Sequence, residues 1–253
     1  MQSKINNQKL LNAGIFLVSI LTIILVWTIA SLSVDNSLIL PNVIQTIKAL
    51  PDLIRGDLLL ALKNTFIRCV IAFAISYILA FGFALVSQKS KIFEGIITPF
   101  IAILRALPTV AIVLLLYFWT TSSVAPVIVT TLVVLPTVYT NLDVSFSSFD
   151  KGLLEMCQVF NVSKKDKLKK VVIPQIVPDV LRSVGTGLSL NLKLMVAAEV
   201  LSNTANCMGY LMNTAKVYFE TASMICLVLI TVVIGLIIET VFNALAKKVG
   251  DWR

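Results

Sequence analysis

From Ala106 to Leu142 the chain carries no charged side chain at all. A run of that length can cross the hydrocarbon core of a bilayer twice, since one helical crossing needs about 20 residues. Thr120-Thr-Ser-Ser123 and Pro126 lie in its middle and supply the bend between crossings. The rest of the chain has the same character: 58% of residues are hydrophobic, 13% are charged, and the mean hydropathy is +0.94. A soluble domain could not cover that much apolar surface with so few charges. The apolar runs are continuous rather than alternating, so the chain is expected to be an all-α integral membrane protein and not a barrel.

Six transmembrane helices are expected, at about 11–30, 60–87, 99–119, 124–142, 176–201 and 222–246. The first follows Lys4 and Lys9 like a signal peptide. It lacks a small-residue cleavage pattern, and its apolar core is longer than an ordinary signal's, about 7–15 residues, so it reads as a retained span. An even number of spans puts both termini on one side. That side holds Lys4, Lys9, Lys89, Lys91, Lys151, the lysines of 164–170, Lys247, Lys248 and Arg253, whereas the opposite loops hold only Lys48, Arg55 and Lys216. The positive-inside bias makes the termini and the 143–175 loop cytoplasmic, and places the protein in the cell (inner or plasma) membrane. The same bias accounts for the net charge of +8 without any nucleic-acid partner.

Several functions are excluded by what the sequence lacks. There is no histidine, and Cys69, Cys157, Cys207 and Cys226 are isolated, so neither a metal site nor a disulfide framework is expected. With no phosphate-binding G-x-x-x-x-G-K-[ST] loop and no clustered carboxylates, the chain is not expected to be an enzyme or to carry a catalytic residue or cofactor.

The loop at about 148–174 is the most informative polar segment. Asp150 is an acceptable N-cap for a short helix. Leu153, Leu154, Cys157 and Phe160 then fall along one apolar stripe, and Asn161-Val162 makes a turn. Ser163-Lys-Lys-Asp166 opens a second helix as a capping box. Its apolar face is Leu168, Val171 and Val172, ringed by lysines, and Pro174 is expected to end it before the fifth span. Such an amphipathic helix–turn–helix between membrane spans suits the docking of another protein. Between the first two spans, Val43, Ile44, Ile47, Leu50 and Ile54 are spaced for a short surface helix interrupted by Pro51.

Glu155-Met-Cys, Asn161 and Val171-Val-Ile-Pro174 resemble the EAA loop of ABC-importer permeases, with Met156-Cys157 in place of Ala-Ala and Asn161 in place of the turn glycine. Asn is among the few residues that tolerate a left-handed turn, so that exchange is physically permitted. The likeness extends through Ile39-Leu-Pro41, Leu104-Arg-Ala-Leu-Pro108, Leu135-Pro136, Leu192–Glu199 and Lys216–Ala222, which look like the nitrate/sulfonate/taurine-type branch. The resemblance implies one transmembrane permease domain over 1–253, of type I importer fold, with a cytoplasmic coupling helix. It implies that Glu155, Phe160, Asn161, Val162, Ser163 and Pro174 meet a cytoplasmic ABC ATPase. It further implies a second permease subunit, identical or paralogous, and an extracytoplasmic solute-binding protein.

Lys193 and Glu199 interrupt the fifth span. Each costs about 2.5–3.5 kcal/mol at the bilayer centre, so both are expected to face protein or water. Six residues apart, they do not share a helix face. No other acid stands at the depth of Lys193, which makes Lys193 and Glu199 candidates for a substrate pathway carrying a small anionic organic solute. The alternative for Lys193 is snorkelling or pairing with another helix or subunit. Arg68, Arg105 and Arg182 are expected to be interfacial anchors. Competing functions are a secondary transporter or channel, which predicts several midplane ionisable residues and internal repeats, and a non-transporting membrane scaffold.

Overall fold

The computed structural model describes residues 2–147 and 151–250. In chain order the helices are α1 (Gln2–Val34), α2 (Val43–Arg55), α3 (Leu58–Ser87), α4 (Lys91–Ala106), α5 (Thr109–Trp119), α6 (Ala125–Ser147), α7 (Lys151–Val159), α8 (Lys164–Lys167), a π-helical turn (Leu168–Val172), α9 (Ile173–Leu201), α10 (Met208–Val217) and α11 (Thr221–Gly250). No strand occurs among the described residues. Five helices are long and apolar enough to cross a membrane, and α4 with α5 makes a sixth crossing if the bent pair counts as one.

The third expected span, 99–119, is therefore not a single helix. It breaks at Leu107-Pro108, where α4 and α5 meet at 91°. Pro108 excludes its predecessor from the helical region, and Leu107 is extended at φ −68°, ψ 127°. Pro136 and Pro178 break nothing, because their helices α6 and α9 are held on several sides by neighbours. Nor does Pro51 interrupt α2, which is capped at its start by a reciprocal Asn42–Gln45 capping box and bonded from Gly56 N–H to Asp52 O at its end.

The chain falls into two compact units. One takes in the described residues up to Leu58 together with Leu211–Leu229. Within it, the Trp27 indole N–H donates to Pro41 O at 3.1 Å, the Ser31 hydroxyl donates to Leu40 O at 3.1 Å, and the Thr221 hydroxyl donates to Leu38 O. These bonds tie the connector after α1 to the start of α11.

The second unit comprises Leu59–Tyr210 and the described residues from Ile230 onward. Its centre is α6, packed chiefly on α9. Val134, Leu135, Val138, Tyr139, Leu142 and Phe146 of α6 meet Phe73 and Ala80 of α3 and Ile97 and Ile101 of α4 in the main core. Lipid tails are as apolar as leucine, so helices in a bilayer associate by close packing and by polar bonds. Both are visible. A methyl group on Gly187 would stand 2.9 Å from the Phe73 ring, so the glycine lets that ring lie directly against α9. Ser76 donates to Thr131 O at 2.6 Å, and the Asn191 amide donates to Cys69 O at 2.7 Å. Arg105, expected as an interfacial anchor, instead bonds α4 to α6, donating to Pro136 O at 3.2 Å and to the Thr140 hydroxyl.

Candidate functional site: the helical elbow and the polar face of α9

The elbow begins with α7. Asp150, its expected N-cap, and the side chain of Leu154 lie outside the described residues. Of the expected stripe, Cys157 is buried and Leu153 half-buried. Phe160 is 73% exposed, and Met156 and Val159 are exposed beside it. The helix ends in a Schellman motif: Asn161 is left-handed at φ 49°, Val162 N–H donates to Cys157 O at 2.9 Å, and Asn161 N–H donates to Gln158 O at 3.1 Å. That is the turn for which the asparagine stands where glycine is usual.

Ser163 caps α8 by accepting from Asp166 N–H at 3.1 Å. Asp166 answers the Ser163 hydroxyl at 2.7 Å rather than its backbone, and pairs with Lys170 at 2.9 Å. Glu155 and Ser163 are exposed. Pro174 does not end the second helix as expected. The π turn at Leu168–Val172 runs directly into α9, and Pro174 sits in that helix's first turn. Proline is tolerated there, and the wider π turn relieves the demand for the hydrogen bond it cannot donate. One continuous helical path joins Ser163 to Leu201.

The structure separates the two charged residues expected to line a pathway. Lys193 is exposed on α9, with its side chain laid across α11: a methyl group on Gly235 would come 3.7 Å from the lysine Cε. Glu199 is wholly buried. Its carboxylate accepts from the Thr65 hydroxyl at 2.8 Å, Arg68 Nη1 at 3.1 Å and Gly209 N–H at 3.3 Å. Thr65 in turn accepts from Met208 N–H at 2.9 Å. Two N–H groups of the first turn of α10 thus reach this cluster, where a helix N-terminus favours negative charge. A Cβ on Gly209 would lie 2.4 Å from Glu199 Cβ and 2.5 Å from Val200 N, so the junction of α9 and α10 requires glycine. Burial pushes the adjacent Cys207 thiol up to about 12; it stays protonated and donates to Thr204 O at 3.0 Å.

Arg68 is therefore the partner of a buried carboxylate and no interfacial anchor. The pairing was available in principle, because Arg68 and Glu199 are opposite charges within apolar spans. Its span runs antiparallel to that of Glu199, and side chains lean toward their own helix N-terminus, which brings the long arginine toward the end of α9. Thr65→Val should cost about 1–3 kcal/mol, because it orphans Met208 N–H and removes a donor from Glu199. Thermal unfolding of the purified chain measures this; an unchanged midpoint would show that the cluster is not structural.

Arg182, also expected as an anchor, pairs with Asp179 at 2.8 Å and lines a cleft between α6 and α9. No group of three or more metal-ligating side chains occurs among the described residues.

A bundle of membrane-spanning helices with an exposed helical elbow, continuous with the span that bears its polar face, is the form of a polytopic transport subunit. Comparison with known proteins makes the assignment definite. The sequence pattern of the binding-protein-dependent transport system inner membrane component family matches residues 72–251, and the chain belongs to that family. Among its relatives are a Bacillus subtilis (strain 168) permease protein assigned to aliphatic sulfonates transport, 24% identical over 91% of this chain and 84% of the relative. The taurine transport system permease protein of Escherichia coli (strain K12) is 21% identical over 90% of this chain and 85% of the relative. The fold is shared with an amino acid ABC transporter crystallised with histidines, at TM-score 0.65 and 17% identity, covering 80% of this chain and 96% of that one. The MetNI methionine ABC transporter in an inward-facing conformation gives TM-score 0.63 at 13% identity, covering 78% and 95%. The chain is thus a multi-pass permease subunit of an ABC importer, a transport component that works with separate ATPase subunits.

Proposed function

We propose that the chain acts as one permease domain, residues 1–253, which pairs with a second permease subunit and takes a small anionic organic solute from an extracytoplasmic binding protein. The relatives that serve sulfonates and taurine support the solute class, as does the exposed lysine on α9. Lys193 lines the solute pathway, and Glu199 shapes its wall from within through the Arg68–Thr65–Gly209 cluster. Both termini and the elbow lie in the cytoplasm of a cell with an inner or plasma membrane, following the excess of lysine on that side.

The observation that carries the coupling reading is the elbow itself. Phe160 stands 73% exposed, with Met156 and Val159 exposed beside it, an apolar knob that water alone would not favour. The ATPase grips it: Phe160 and Val162 enter the partner, Asn161 and Ser163 hold the turn that presents them, Glu155 meets charge at the rim, and Pro174 marks where the elbow joins the span. ATP shifts the permease between states only to the extent that the docked elbow fits them unequally.

The test is reconstitution with the ATPase and binding protein, followed by ATP-dependent uptake of a labelled sulfonate. Lys193→Met should lower uptake about tenfold, the loss of one charge-assisted contact, while ATPase assembly stays intact. Unchanged uptake kinetics would return Lys193 to a packing role. Cross-linking from Phe160 or Val162 should capture the ATPase, and capture of lipid alone would overturn the docking assignment.

A further inference from the structure

The last turns of α3, the end of α6, and the π turn with the start of α9 border a groove of about 460 Å³. Sites that hold a single small ligand run from about 300 to 1,000 Å³. The lining is almost wholly apolar. Phe81 and Phe146 meet edge-on with ring centroids 5.6 Å apart, and Val172, Ile176 and Val180 line the groove from the π turn and α9. From Val172 to Val180 the helical wall rises about 12 Å, within the roughly 15 Å of one leaflet's hydrocarbon.

Polar groups gather at one end. Phe81 and Leu85 stand about one turn apart on α3, and Gln88 and Lys89 follow them just past its last residue, Ser87. The Gln88 amide is committed to α6, donating to Asp143 Oδ1 at 2.8 Å and to the Ser147 hydroxyl at 3.0 Å. Lys89 is exposed and joins no ion pair among the described residues. Lys167 and Lys169 flank Leu168, another lining residue, in the sequence, and they add to the positive potential on this side.

We propose that the groove holds one acyl chain of an anionic phospholipid from the leaflet on the elbow's side, with the lipid phosphate on the Lys89 ammonium. The groove repeats the polarity of such a molecule: apolar along one leaflet's depth, cationic where the headgroup layer begins. A zwitterionic headgroup brings its own ammonium beside the phosphate and gains less from a lysine. The inference concerns the lipid that this subunit selects, and it is independent of the solute carried.

The experiment places the full chain, assembled with its ATPase, in phosphatidylcholine nanodiscs containing a lipid probe with a diazirine on its acyl chain. The probe carries either a phosphatidylglycerol or a phosphatidylcholine head, and labelled peptides are read by mass spectrometry. The glycerol probe should label residues 172–180 about fivefold more than the choline probe, the usual effect of one lysine beside an anionic lipid. Lys89→Gln should lower its labelling to the choline level, and Lys89→Arg should keep it. Leu85→Trp, which fills the groove, should remove labelling of these residues by both probes. Equal labelling in the wild type would reveal boundary lipid only and overturn the proposal. Labelling that misses these residues, as when a second permease subunit covers them, would also overturn it, and so would a preference that survives Lys89→Gln.

Discussion

Arg68→Leu is expected to destabilise the protein by about 3–5 kcal/mol, since it leaves the Glu199 carboxylate buried without its cation. Such a loss is a large part of the roughly 5–15 kcal/mol that holds an ordinary domain together. Thermal unfolding of the purified chain and its yield in the membrane are the measurements. Glu199→Gln should be milder, because the amide oxygen still accepts from Thr65 and Gly209 N–H, and Arg68 keeps a partly exposed edge that water can reach. Replacing both residues with leucine should recover much of what Arg68→Leu loses, as removing a buried pair entirely costs less than orphaning one member. If Arg68→Leu melts with the wild type, the ion pair is incidental and the end of α9 is held without it, by packing and by the bonds from Thr65 and Gly209 N–H.

The second large effect falls on transport instead of folding. Phe160→Asp and Glu155→Arg alter exposed side chains on α7, so stability should shift by no more than about 0.5 kcal/mol. ATP-dependent uptake should nevertheless fall by about a hundredfold or more in Phe160→Asp, since a charge replacing an apolar anchor at the centre of the proposed interface costs several kcal/mol of docking, and by less in Glu155→Arg, which reverses a charge at its rim. Two readouts separate the causes: normal melting with lost co-purification of the ATPase marks a docking defect, and normal melting with wild-type uptake would move the contact elsewhere.

Much of this architecture is legible in the sequence because bilayer physics writes it locally. Uncharged runs of span length and the capping signals at Ser163 are properties of neighbouring residues. The left-handed turn at Asn161 was readable for the same reason, since few other side chains adopt it. What was not legible depends on distant partners. Arg68 and Glu199 lie 131 positions apart, and no periodicity links them. The prolines divide on the same ground. Pro108 breaks its span with a 91° bend, whereas Pro174 and Pro178 sit in a helix that continues past them. Which outcome follows depends on the surrounding helices and on the π turn, not on the proline.

That unbroken path from Ser163 to Leu201 has a mechanical consequence. A push on the elbow is not absorbed by a slack linker: it arrives in the span as tilt or torque about the helix axis. Arg182 and Lys193, mounted on one side of the same shaft, would swing together as it turns. The π turn winds the shaft more loosely than its neighbours do, and tightening it to a regular α turn would rotate the span relative to the elbow.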